Sequence, residues 1–286
     1  MSATGLATAV GLSVGLPTAM GAERIVPPKA SPMKLGTVTY NLAKDWDLET
    51  IVKNCTAAGF QGVELRTTHA HKVEVALTKD ERATVRKRFA DSPVELYGLG
   101  SAFDYHTPDP AKLRQDMAAT KEYIVLAQDV GATGVKVRPN GLPKEVPVEK
   151  TLEQIGRSLR ELGEFAAGHG QMIRVEVHGS GTSLLPHIRT IMDVADHKNV
   201  GVCWNSNQTD LEGEGFDHGF NLVKSRIVEV HMRDLFLEEY PWRRLMSSLV
   251  ASGYQGYCLA EIPESSDPVR VMRYYRALWL SYQGLL

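Results

Sequence analysis

The sequence predicts an α/β protein built as a single closed (β/α)8 barrel. Three observations lead there. From about residue 34 onward, short β-branched runs alternate with longer helical segments, and strict alternation of this kind means parallel strands joined by right-handed crossovers. Eight β/α units can be counted, with no tight hairpin signal between any two strands. The length of 286 residues suits one such barrel. A doubly wound open sheet is the competing arrangement.

Taken in order, Gly36-Thr37-Val38-Thr39-Tyr40-Asn41 opens the domain as a strand, and a helix over Leu48–Ala58 stops at Gly59. The next strand, Gly62-Val63-Glu64-Leu65-Arg66, alternates apolar with charged residues, the period of a strand with two different faces. Thr78 and Glu81 have capping-box spacing for a helix reaching Ala90. Val94–Gly98 is the third strand, and Asp109-Pro110 supplies an N-cap and an N1 proline for a long helix ending at Val130. Gly134–Pro139 is the fourth strand, followed by an amphipathic helix over Val148–Ala167.

Arg174-Val175-Glu176-Val177-His178-Gly179 is the fifth strand and the most sharply alternating stretch of the chain. A helix over Leu184–Ala195 leads to a strand at Val200–Asn205, and one over Phe216–Lys224 leads to a strand at Ile227–His231. A helix over Trp242–Ala251 precedes the eighth strand, Gly256–Glu261, and a last helix starts at Pro268. The phrases Gly59-Phe60-Gln61-Gly62, Gly131-Ala132-Thr133-Gly134 and Gly253-Tyr254-Gln255-Gly256 share one helix-to-strand turn and set no repeat period.

Residues 1–33 stand apart as a signal-like segment and proline-containing linker, and residues 34–286 form the barrel. Met1 to Glu23 contain no lysine or arginine, and the apolar run Gly5–Leu16 is shorter than a bilayer span but fits the core of a secretory signal. Ala19-Met20-Gly21 has the small-residue spacing of a cleavage site. Export, to a periplasm for example, is the expectation; a tail with no address on a cytoplasmic protein is the alternative. No stable membrane span is expected. A net charge of −2, with no basic run, excludes a nucleic-acid footprint. Cys55, Cys203 and Cys258 lie far apart and read as buried residues, not a disulfide framework. A homo-oligomer is compatible with the composition.

In a barrel the apolar face of each strand meets the helices, so the charged faces point inward. Glu64 with Arg66, Lys136 with Arg138, Arg174 with Glu176, and Glu229 with His231 and Arg233 therefore share the interior, where they must be paired, hydrated or bound to a metal. Chemistry in such barrels gathers at the C-terminal ends of the strands. Those ends carry Glu64, Arg138, Glu176 with His178, Asn205, His231 with Arg233, and Glu261. Two carboxylates, an imidazole and an amide oxygen on four consecutive strands suit a divalent ion. A salt-bridge network is the alternative.

Gly59-Phe60-Gln61-Gly62-Val63-Glu64-Leu65, Val175-Glu176-Val177-His178-Gly179, Val230-His231 and Ala260-Glu261-Ile262 resemble the motifs of the xylose-isomerase-like sugar phosphate isomerase/epimerase barrels, over about Leu35 to the end. The resemblance implies a divalent ion (Mn, Mg, Co or Zn) on Glu176, Asn205, His231 and Glu261, with Glu176 and Glu261 as an acid/base pair. Strand six departs from the pattern: an Asp with a His three residues later is replaced by Asn205-Ser206-Asn207-Gln208. Asn205 ligates only through a neutral carbonyl oxygen, which lowers metal affinity, and Gln208 cannot transfer protons.

The expected activity is isomerisation or epimerisation of a keto- or aldo-sugar by glutamate-mediated α-proton abstraction through an enediolate. Glu64, His69, His71, Lys136, Arg138, His178, Gln208 and Arg233 are the expected substrate contacts. A lyase or dehydratase acting on a keto-sugar could use the same groups, and a non-catalytic sugar-binding barrel is a further reading. An apurinic endonuclease would need additional His and Asp ligands, including one on strand three, where Tyr97-Gly98-Leu99-Gly100 offers none.

Overall fold

The computed structural model describes Met1 and residues 30–286. Most of the signal-like segment expected over 1–33 lies outside the described residues. Eight parallel strands close in sequence order: β1 (Lys34–Val38), β2 (Gly62–Arg66), β3 (Glu95–Gly100), β4 (Gly134–Val137), β5 (Met172–Glu176), β6 (Val200–Trp204), β7 (Ile227–Met232) and β8 (Tyr257–Ala260). β8 pairs back onto β1 with Lys34 opposite Tyr257 and Thr37 opposite Ala260. The closed barrel therefore holds and the open sheet does not.

The helices are α1 (Leu48–Ala58), α2 (Lys79–Ala90), α3 (Pro110–Val130), α4 (Val148–Gly168), α5 (Leu185–Ala195), α6 (Phe216–Val223), α7 (Trp242–Ala251) and α8 (Pro268–Tyr282). Their starts follow the local chemistry. Asp47 caps α1 by accepting from the Thr50 amide, Thr78 and Glu81 form the expected capping box on α2, and Asp109 caps α3 ahead of its N1 proline. Each of these caps satisfies amides that a helix end leaves orphaned.

The strands end earlier than the alternation suggests. β5 stops at Glu176 and β8 at Ala260, so His178 and Glu261 stand on the loops just beyond. Outward residues Val63, Leu65, Val135, Val137, Ile173, Val175 and Val230 are all 0–1 % exposed beneath the helices. That burial stabilises the fold by roughly 25 cal/mol per Å² of apolar surface. Inside, glycine makes room for large polar groups: a Cβ on Gly100 would sit 2.5 Å from Glu64 Oε1. A 3-10 turn over Gln208–Leu211, not foreseen in the sequence, follows β6.

Candidate active site

Inward side chains fill the barrel in layers. Low among the charged groups is Arg174, 2 % exposed, lying 3.8 Å from the centroid of the Tyr97 ring. It donates to Tyr97 O at 3.2 Å and Thr133 Oγ1 at 2.7 Å. No acidic group lies within 4.0 Å of Arg174 among the described residues. An aromatic face and two oxygen acceptors hold its charge.

Above it sits a buried cluster of Glu64, Lys136, Glu176, Glu229 and His231. Lys136 Nζ is 2.5 Å from Glu176 Oε2. Burial alone would raise the Glu176 carboxyl, but the Lys136 ammonium overrules it and holds the group at about 2. Burial likewise opposes the Lys136 charge, yet Glu176 and Glu64 keep its pKa above the ordinary value. His231 is ringed by carboxylates, with Glu64 at 3.7 Å, Glu229 at 3.9 Å and Glu261 at 3.8 Å. Burial, with Glu64 beside it, pushes Glu229 up to about 7.

The barrel mouth opens into a cavity of about 490 Å³. Of the residues expected from the sequence, Lys136, Arg138, Glu176, His178, Asn205, Arg233 and Glu261 line it together. His231 lies just beneath, touching the wall through Glu261. Tyr40, Asn41, Arg66, Ser101 and Asp234 also line it, although sequence reasoning did not place them in the site. Arg66 had a signal, since it continues the inward face of β2 two residues after Glu64. Ser101 had a weaker one, as the first residue after β3.

Four expected substrate contacts do not reach the cavity wall. Glu64 is fully buried below it. His71 is consumed by its own loop: Nδ1 accepts from the Val73 amide at 3.0 Å and Nε2 meets Arg66 O at 2.7 Å. His69 bonds Thr39 Oγ1 through Nδ1 at 2.9 Å and stacks on Tyr40; burial, with Arg66 adding to it, pushes its imidazole down to about 4. Gln208 is exposed at the start of the 3-10 turn. The turn at Asn205–Gln208 carries it away from the wall that Asn205 joins.

A divalent cation fits the donor set. Ligand atoms of Glu176, His231 and Glu261 lie within 4.8 Å of one another, and both ring nitrogens of His231 are buried without a hydrogen-bond partner. Asn205 donates through Nδ2 to Asn207 Oδ1 at 3.4 Å, which leaves its carbonyl oxygen uncommitted. Oxygen donors with one imidazole suit a hard or borderline divalent ion. A second grouping, Cys203 with Glu229 and His231, shares the histidine. Burial raises its thiol well above the ordinary value, so it is the poorer donor set.

The sequence model described as xylose isomerase-like TIM barrel matches residues 52–279. Comparison with curated proteins finds no match. Among solved structures, the chain is similar to a 3-keto-D-glucoside 4-epimerase from E. coli in its apo form, at 17% identity and TM-score 0.72, covering 87% of this chain and 99% of that one. It is similar to the IOLI protein with a bound zinc atom at 15% identity and TM-score 0.74, covering 88% and 98%. A D-psicose 3-epimerase in the presence of D-fructose is similar at 15% identity and TM-score 0.73, covering 88% and 100%. At these identities the likeness establishes the fold.

Proposed function

Starting from the chain's membership of the xylose isomerase-like TIM-barrel family, we propose that it is a divalent-metal-dependent isomerase or epimerase of a keto- or aldo-sugar. One observation carries the reading: the Glu176 and Glu261 carboxylates, from β5 and from the loop after β8, approach within 4.8 Å of each other and of His231 at the base of a cavity sized for a small molecule. The names of similar structures, among them a psicose 3-epimerase and a ribulose 3-epimerase, support the same class.

Glu176, His231 and Glu261, with the Asn205 carbonyl oxygen, would hold the cation. When bound it supplies Lewis-acid polarisation of the substrate carbonyl. The two glutamates divide the proton work: one takes the α-proton, and the other returns a proton to the opposite face of that carbon or to its neighbour. Lys136, bonded to Glu176 Oε2, fixes that carboxylate in place. Negative charge developing on the substrate oxygens faces the Lys136 ammonium and the Arg233 guanidinium.

Solvent-deuterium exchange into a panel of ketoses and aldoses, with Mn²⁺, Co²⁺, Zn²⁺ or Mg²⁺ supplied, tests this. Exchange is expected for at least one sugar, and Glu176→Gln and Glu261→Gln should each lower it by about 100-fold or more while the circular dichroism is unchanged. Absence of exchange across the panel with every metal would overturn the proposal.

A further inference from the structure

Outside the cavity some arginines meet carboxylates, while others are held by backbone carbonyls, as Arg160 is by Val194 O and Arg273 by Ala57 O, or by an aromatic face, as Arg174 is by Tyr97. Arg82 pairs with Asp129, Arg157 with Glu153, Arg189 with Asp193 and Arg244 with Asp217. The three arginines that line the cavity do not: among the described residues no acidic group lies within 4.0 Å of Arg66, Arg138 or Arg233. Arg66 is held by a single bond to Thr67 O at 3.2 Å and by the Tyr40 ring 5.4 Å away. Among the described residues the Arg138 guanidinium has one hydrogen-bond partner, His178 Nε2 at 3.3 Å through Nη1, and its buried Nε has none. Each guanidinium offers five N–H donors, so most of the donors of Arg66 and Arg138 remain for a ligand.

Charge counting points the same way. The wall carries four cations, Arg66, Lys136, Arg138 and Arg233, and three acids, Glu176, Asp234 and Glu261. Lys136 and Glu176 neutralise each other at 2.5 Å. Three guanidinium groups then face two carboxylates, neither of which pairs with them. Sugar hydroxyls are weak partners for a half-buried guanidinium, whereas a carboxylate or phosphate matches its planar fork with two parallel hydrogen bonds.

Position in the barrel separates these groups. Arg66 ends β2 and Arg138 follows β4, flanking Ser101 after β3. The glutamates and His231 belong to β5, β7 and β8, and Arg233 stands with them. Resting on the sugar isomerase reading above, we infer that the substrate is anionic: Arg66 and Arg138 form a subsite for a carboxylate or phosphate on the end of the sugar remote from the reacting carbon.

Calorimetric binding of D-fructose, D-fructose 6-phosphate and D-fructuronate to the purified full chain tests the subsite, and the two anions distinguish phosphate from carboxylate. At least one anion should bind about tenfold or more tighter than D-fructose, an advantage that shrinks with added salt. Arg66→Gln and Arg138→Gln should each weaken the anion by a larger factor than they weaken D-fructose, and so remove most of that advantage, while Arg138→Lys keeps part of it. Equal binding of all three ligands, or arginine variants that weaken all three alike, would sink the inference. Deuterium exchange run on the same panel separates the two readings. Exchange with no anion preference leaves the isomerase and removes the subsite. Arginine-dependent anion binding without exchange does the reverse.

Discussion

Asn205 is the residue on which the proposed metal site turns. It lines the same cavity as Glu176 and Glu261, but it brings a dipole where an aspartate would bring a charge. Asn205→Asp should tighten Mn²⁺ or Zn²⁺ binding by about tenfold, or ~1.4 kcal/mol, in a chelator-competition titration; unchanged affinity would show that position 205 is not a ligand. Asp210 governs a separate, purely structural effect. Its Oδ2 accepts from Tyr240 OH at 2.6 Å, and the Tyr240 oxygen accepts from Trp204 Nε1 at 2.9 Å. Burial pushes the Asp210 carboxyl from 3.8 up to about 7. As pH rises through that window the unfolded chain releases the proton while the folded one retains it, so stability falls, by up to roughly 1.4 kcal/mol per pH unit, and levels off above the folded pKa. Asp210→Asn abolishes this slope. Urea unfolding from pH 4 to 7 should show the variant gaining on the parent, and a constant difference would refute it.

Among the elements, the β4–β5 pair has little tolerance for added bulk. Gly134 stands opposite Met172, and a Cβ there would lie 2.4 Å from Met172 O and 2.9 Å from Arg174 Cζ. The backbone of β5 cannot retreat without breaking its own ladder. Gly134→Ala should therefore destabilise the fold by about 1–3 kcal/mol, read as a lower urea midpoint at unchanged m-value. Several elements were legible to the residue from local chemistry. The bounds of α1, β2 and α7 match the sequence pattern, and the starts of α1, α2 and α3 follow the caps and proline written into Asp47, Thr78, Asp109 and Pro110. Strand ends were less so. Alternation runs on through Val177 and His178 although β5 pairing ends at Glu176, because side-chain period continues in an extended chain after the ladder hydrogen bonds stop.

At the scale of the whole molecule, closure between Lys34 and Tyr257 brings residues more than 200 positions apart to one ring. Among the described residues no helix is long and apolar enough to cross a membrane. The closed ring gives the interior its character: Glu64, Lys136, Arg174, Glu176, Glu229 and His231 are each buried, and they come from four strands, β2, β4, β5 and β7. Ion pairs in such a place cost desolvation energy that good packing would not. On the proposed function, these charges serve the site and not stability.

By itself the sequence determined the class, the order of the elements and the inward face of each strand, since period, capping and turn chemistry act within a few residues. It also placed Glu176, Asn205 and Glu261 at strand ends where a cavity would form. Only the tertiary structure decided which charges meet. Lys136 finds Glu176 across 40 positions, His71 turns back onto Arg66, Arg174 stacks on Tyr97, and Arg66 and Arg138 are left facing open space. Such pairings depend on the register and stagger of a closed barrel, a long-range geometry that no local pattern encodes.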